Sequence, residues 1–181
     1  MKTAVLVIDM INDFVTGKLG SERAQRIVPA VKKLIEFARS KGIPVIYVCD
    51  SHISGIDIEF SLWGSHAVAG TEGAEIVPGL EPKDGDYVLK KRRYSAFFGT
   101  DLDILLRELG VDRLVLSGLV TDICIQHTAA DAFFRGYKIV VIKDCVNAVS
   151  EEANRAALEY MKKVYDAKIE GLGKFLESPE G

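Results

Sequence analysis

Apolar residues fall along this chain in two alternating patterns. Short unbroken runs, Ala4–Ile8, Val45–Val48, Tyr87–Leu89, Arg113–Leu116 (after its leading arginine) and Ile139–Ile142, are rich in β-branched side chains. Such runs predict strands, and Ala4–Ile8, the longest continuous one, reads as covered on both faces. Between them the spacing becomes helical. Ile27, Val31, Leu34, Phe37 and Ala38 recur on one side of the segment 21–40. Ser21 can cap its start, and Gly42-Ile43-Pro44 closes it. Further helices are predicted from Thr100 to Glu108, from Thr121 or Asp122 to Arg135, and from Ser150 to Lys163. Gly110 and Gly136 stop the first two, Gly136 as a glycine just past the helix end. The segment from Val164 to Ile169 supplies a sixth strand.

Strand and helix alternate throughout, so the expected class is α/β, a parallel sheet with helices on both faces. A chain of 181 residues fits one such domain. Its expected extent is 1–170, interrupted by a long loop at 52–86 that is rich in glycine and proline. Connections of that length are usually binding loops or lids. Residues 171–181, glycine-rich, are expected to fray.

Open parallel sheets bind ligands beyond the carboxyl ends of their strands. Asp9 ends the first strand, Asp50 the second, Lys90 or Lys91 the third, and Cys124 follows the fourth. Cys124 falls in the first turn of its helix, where unpaired N–H groups and the helix dipole favour a thiolate nucleophile. Asp9, at a partly buried strand end, has the raised proton affinity of a general base. A lysine beside them would favour the thiolate and hold Asp9 ionised. Neighbouring strand residues face opposite sides, so the pattern leaves Lys90 and Lys91 open. Each residue has a plainer reading: a packed free cysteine, a capping carboxylate, a solvated basic run. Convergence of all of them on one sheet edge favours a site.

Asp50, His52 and His66 offer donors suited to a divalent metal, Zn²⁺ first and Fe²⁺ or Mn²⁺ as alternatives. Loop histidines taken alone are more often surface residues. Phe14 and Trp63 are either core or a flat wall for a planar ring. His127, three residues after Cys124, has poor triad spacing and ranks below Asp9 as the base. Cys49 and Cys145 read as structural.

Composition narrows the partners. The net charge of −3 makes no case for nucleic acid or an anionic membrane. No window approaches the ~18–20 apolar residues of a membrane span. The apolar run before Asp9 is too short for a signal peptide. Three cysteines with no CxxC pair fit a reducing, cytoplasmic setting.

Three stretches carry a resemblance. Asp9-Met-Ile-Asn-Asp-Phe14, Lys91-Arg-Arg-Tyr-Ser-Ala-Phe97 and Gly118-Leu-Val-Thr-Asp-Ile-Cys124 resemble, in order, the signatures of the isochorismatase-like cysteine hydrolases, over about residues 3–169. The resemblance implies a three-layer α/β/α fold with a six-stranded parallel sheet of order 3-2-1-4-5-6. It implies a catalytic triad of Asp9, Lys91 and Cys124, which chooses Lys91 over Lys90. It also implies a non-proline cis peptide at Leu119–Val120 and an oxyanion hole from the N–H groups of Val120 and Cys124. Within the superfamily, Asp50, His52 and His66 beside Trp63 resemble the metal site of nicotinamidases. There the metal holds the substrate's pyridine nitrogen, and the Phe14 and Trp63 positions pack on its ring. Some nicotinamidases have a further histidine after the second ligand; residues 53–60 hold only Asp57 and Glu59 as polar candidates. The implied activity is hydrolysis of nicotinamide, or a close aromatic carboxamide, through a cysteine thioester, with a role in NAD metabolism. The implied assembly is a dimer or tetramer. The alternatives are a metal-free cysteine amidase acting on a ureido or N-carbamoyl compound, and a non-enzymatic binding module.

Overall fold

The computed structural model describes residues 1–178. Six parallel strands, β1 (Thr3–Ile8), β2 (Val45–Asp50), β3 (Tyr87–Lys91), β4 (Arg113–Leu119), β5 (Lys138–Asn147) and β6 (Lys168–Glu170), form one sheet. Their order is β3-β2-β1-β4-β5-β6. The helices are α1 (Asn12–Val15), α2 (Glu22–Ser40), α3 (Phe60–Trp63), α4 (Leu102–Glu108), α5 (Gln126–Phe134), α6 (Glu151–Val164) and α7 (Leu172–Glu177).

Alternate residues of the central strands feed two cores. Val5, Val7 and Val115 pack with Ile27, Val31 and Leu34 of α2 on one face. Leu6, Ile8 and Leu116 pack with Leu102, Leu106, Ala129 and Met161 on the other. Both faces are therefore dry, which is why β1, β2 and β4 read as unbroken apolar runs rather than alternating ones. The predicted caps are present: Ser21 Oγ accepts from Ala24 N at 3.1 Å and Ser150 Oγ from Ala153 N at 3.1 Å.

Four expectations change. Residues 171–178 are not frayed: α7 docks on the α2 side, with Leu172 and Phe175 buried and the Phe175 ring 6.0 Å from Phe37. Its apolar residues sit at helical spacing among glycines, and Leu172 N donates to Asp144 Oδ2 at 2.6 Å. The rest of the expected tail, 179–181, lies outside the described residues. The sixth strand begins only at Lys168, because Val164 completes α6 and Asp166 turns the chain at φ 52°. The fifth strand continues to Asn147, so Cys145 lies inside it rather than after it. The turn holding Cys124 is a wide π-type turn, Thr121–Ile125, ahead of α5.

One glycine sets how close the two site-bearing strands come. Gly118 has φ 114°, and a Cβ there would lie 1.9 Å from Ile8 O. Only glycine permits β4 to approach β1 this closely at its end. The residue after Ile8 is Asp9, so the approach brings Asp9 toward the turn holding Cys124.

Candidate active site

The expected residues of three strand ends and the following turn meet in one buried cluster. Asp9, Asp50, Lys91 and Cys124 are all buried. Asp9 has φ 53°, uncommon for a residue with a side chain. Its Oδ1 accepts from Asp50 N at 2.8 Å, and its Oδ2 lies 2.8 Å from Lys91 Nζ. Lys91 Nζ also donates to Asp50 Oδ1 at 2.6 Å and Arg93 O at 3.0 Å, and sits 3.7 Å from Cys124 Sγ. Lys90 is exposed, so β3 turns Lys91 inward. The Leu119–Val120 peptide is cis.

Burial raises the Asp9 carboxyl to about 7, with Asp50 pushing the same way and Lys91 opposing. Burial pushes the Asp50 carboxyl up as well, but Lys91 and His52 bring it below its ordinary value. Lys91 stays firmly protonated: burial opposes its charge, and Asp50 and Asp9 outweigh that. Burial also holds the Cys124 thiol well above its usual range; Lys91 opposes this and Asp9 and Asp50 reinforce it. The effects expected to favour a thiolate meet an opposing one here, which leaves a proton for the expected base, Asp9, to take. The helix-end and lysine effects act on a thiol that is out of water and beside two carboxylates, and burial with negative neighbours wins. Asp9 Oδ2, although close to Lys91 Nζ, makes no well-aligned hydrogen bond. A lone pair is thus left for the thiol proton.

Asp50 belongs to a second cluster. One donor atom each from Asp50, His52, Glu59 and His66 lies within 4.8 Å of the others, and all four residues are buried. His52 Nδ1 pairs with Asp57 Oδ2 at 3.0 Å, and His66 Nδ1 with Gly64 O at 2.7 Å. Both partners are acceptors, so each Nδ1 carries a hydrogen. Burial lowers His52 but Asp50, Asp57 and Glu59 raise it overall, so its Nε2 attracts a proton or, in its place, a cation. Asp57 is fit for this role because Arg92 holds its carboxyl far below the usual range. His52 Nε2 and Glu59 Oε1 are buried with no hydrogen-bond partner. His52 Nε2 lies 3.4 Å from Asp50 Oδ2 and 3.6 Å from Glu59 Oε2. Buried lone pairs without donors are costly, and a cation among them removes the cost. Two imidazole nitrogens and two carboxylates fit Zn²⁺, and also Fe²⁺ or Mn²⁺.

Glu59 and Asp57 have no counterpart in the expected ligand set. The local sequence gives no signal for either. In Ile53-Ser-Gly-Ile-Asp-Ile-Glu59 the isoleucines are exposed and both acids are buried, the reverse of the usual assignment.

A cavity of about 240 Å³ opens onto Cys124, with Val120 on its wall. Phe14 and Trp63 both line it, as does Tyr94. The Phe14 ring lies 5.6 Å from His66, and Trp63 Nε1 donates to Tyr94 OH at 3.1 Å. The lining carries three carboxylates, Asp50, Glu59 and Asp122, and no lysine or arginine. One oxygen of Asp122 is buried without a partner. His127 points elsewhere: its Nδ1 pairs with Ile123 O at 2.7 Å and its ring rests 5.5 Å from Tyr94. Cys49 and Cys145 are buried free thiols, both pushed up by burial. Among the described residues no helix is long and apolar enough to cross a membrane.

A family model for the isochorismatase domain matches residues 3–169. Solved structures agree over nearly the whole chain. N-carbamoylsarcosine amidase from Thermoplasma acidophilum is 43% identical with a TM-score of 0.89, covering 95% of this chain and 97% of its own. Nicotinamidase PncA from Bacillus subtilis is 36% identical with a TM-score of 0.89, covering 93% and 99%. Pyrazinamidase of Pyrococcus horikoshii, solved in complex with zinc, is 31% identical with a TM-score of 0.88, covering 94% and 99%.

Proposed function

The chain belongs to the isochorismatase domain family, and we propose that it is a cysteine amidase for a neutral aromatic carboxamide, nicotinamide first, releasing the acid and ammonia. One observation carries this reading: the Asp50, His52, Glu59 and His66 cluster shares Asp50 with the catalytic group, and its Asp50, Glu59 and His66 line the same cavity as Cys124. Those four residues would hold a divalent cation, which supplies a Lewis-acid contact for a ring nitrogen.

The chemistry belongs to the chain's own residues. Asp9 takes the Cys124 proton as the sulfur attacks the carboxamide carbon. The N–H groups of Val120 and Cys124 receive the developing oxyanion; loss of one such donor typically costs ~10²–10³ in rate. Asp9 returns its proton to the leaving nitrogen, and ammonia departs from a thioester. Asp9 then takes a proton from water as it attacks the thioester, and the acid leaves with the thiol restored. Lys91 stays charged throughout and offsets the negative charge on the Asp9–Cys124 pair.

The rival is an N-carbamoyl amidase, favoured by the 43% identity to the Thermoplasma enzyme. An N-carbamoyl amino acid carries a carboxylate. The lining offers it no lysine or arginine, so its charge would be buried there without a cationic side chain to pair with. We expect kcat/KM for nicotinamide to exceed that for N-carbamoylsarcosine by at least ~10²-fold, a difference of about 3 kcal/mol. Ammonia release from both compounds decides it, and the reverse preference transfers the assignment to the rival.

Metal dependence gives a separate check. His52→Ala removes a donor whose lone pair is already aimed at the cluster. It is expected to lower bound Zn²⁺ in purified protein from near one equivalent to near none, and to raise KM for nicotinamide more than it lowers kcat. Chelation of the wild type should act the same way. Activity on nicotinamide that ignores both treatments would remove the reading's main support.

A further inference from the structure

Asp13 is buried, 6% exposed, in the first signature stretch, yet it plays no part in the chemistry above. Its Oδ2 accepts from Ala67 N at 2.8 Å, across 54 residues of chain. Ala67 directly follows His66 and has φ 42°, a conformation that a residue with a side chain keeps only when held. The carbonyl of the same residue accepts from His52 N at 2.8 Å, and Ala69 N returns to His52 O at 2.9 Å. Ala67 is thus tied to both histidines of the cluster, to one by the chain and to the other by a hydrogen bond. The Asp13 carboxylate anchors it from the first turn past β1.

The carboxylate has its own support. A Cβ at Gly73 would lie 2.2 Å from Asp13 Oδ2, so only glycine leaves room for the carboxylate there. Oδ1 lies 3.5 Å from Lys18 N, and Lys18 Nζ donates to Ser65 O at 2.9 Å, next to His66. Asn12 Nδ2 donates to Glu72 O at 2.8 Å, beside Gly73.

We infer that Asp13 is a positioning residue: through Ala67 it sets where His52 and His66 stand relative to each other, and so how tightly the cluster holds a divalent cation. The inference rests on the metal reading above. Partners that orient metal ligands typically change affinity by ~10–100-fold when removed. An asparagine can still accept from Ala67 N through its oxygen, but its NH₂ then faces the Lys18 N–H, so it should rescue in part.

The test is a Zn²⁺ titration of metal-stripped full-length protein against a chromogenic competitor. Asp13→Ala is expected to weaken Zn²⁺ binding by ~10–100-fold, with Asp13→Asn between it and wild type. Gly73→Ala keeps Asp13 but displaces its carboxylate, and should weaken Zn²⁺ in the same direction, which covers the case in which Asp13→Ala fails to fold. At saturating Zn²⁺, kcat on nicotinamide should stay near wild type in Asp13→Asn while KM rises at limiting Zn²⁺. Wild-type affinity in folded Asp13→Ala, or in folded Gly73→Ala, overturns the inference and leaves the metal reading standing. Absence of Zn²⁺ binding by wild type overturns the metal reading, and this inference with it.

Discussion

Cys124→Ala is expected to reduce ammonia release from nicotinamide by roughly 10⁴-fold or more, the scale on which removing a nucleophile acts. The same variant should bind Zn²⁺ like wild type, because Cys124 is not among the clustered donors Asp50, His52, Glu59 and His66. The two measurements separate chemistry from binding. If the nucleophile instead came from water activated at the metal cluster, the alanine variant would keep most of its rate. Cys124 would then be the small packed residue that free cysteines usually are. Intact protein mass after mixing with substrate adds a direct view: wild type should carry an acyl group and the alanine variant none.

Asp9→Asn is expected to lower kcat/KM by ~10²–10⁴-fold, the usual range for a general acid–base residue. It should also remove the acidic limb of the pH profile. Asp9 must be ionised to take the thiol proton, and burial raises its carboxyl to about 7. Wild-type kcat/KM should therefore climb with pH, through about 7 in metal-stripped protein. The plateau should extend well into the alkaline range, since the Cys124 thiol and Lys91 are both held well above their ordinary values. A cation on Asp50 would cancel one of the two causes that raise Asp9 and move the limb lower. Stability follows the same group with the opposite sense. A carboxyl raised from 3.8 to about 7 on folding stabilises the fold fully below the lower value, and that contribution is lost as pH rises through the higher one. The melting temperature of Asp9→Asn minus that of wild type should therefore grow between pH 4 and pH 8. Activity retained within tenfold in Asp9→Asn would sink the base assignment.

The strands and their alternation with helices are local properties. Ala4–Ile8 is apolar and β-branched because both faces of β1 are covered, and five or six residues are enough to show it. The strand-end rule then places Asp9 and Cys124 near one edge, and the signature stretches add Lys91 and the strand order. The pattern alone could not choose Lys91 from Lys90, since it says nothing about which side of edge strand β3 meets β2. The C-terminal helix was hidden for a related reason. Leu172 and Phe175 have value only against α2, more than 130 positions earlier, while their glycine neighbours are visible at once.

Asp57 and Glu59 lie beyond local reading altogether. Their burial depends on partners supplied from elsewhere: Arg92 for Asp57, and for Glu59 the cluster completed by His66. Meanwhile Ile53, Ile56 and Ile58 are left outside. The Asp13 bond to Ala67 likewise joins residues that no spacing rule connects.

The ionisation of Cys124 shows the division most sharply. By itself the sequence determined the α/β class, the strand ends, and the chemical types that meet there: carboxylates, an amine and a thiol. Tertiary structure decided their charge states. Those depend on how completely water is removed and on the sum of charges within a few ångströms, and both are set by packing between segments far apart in the chain.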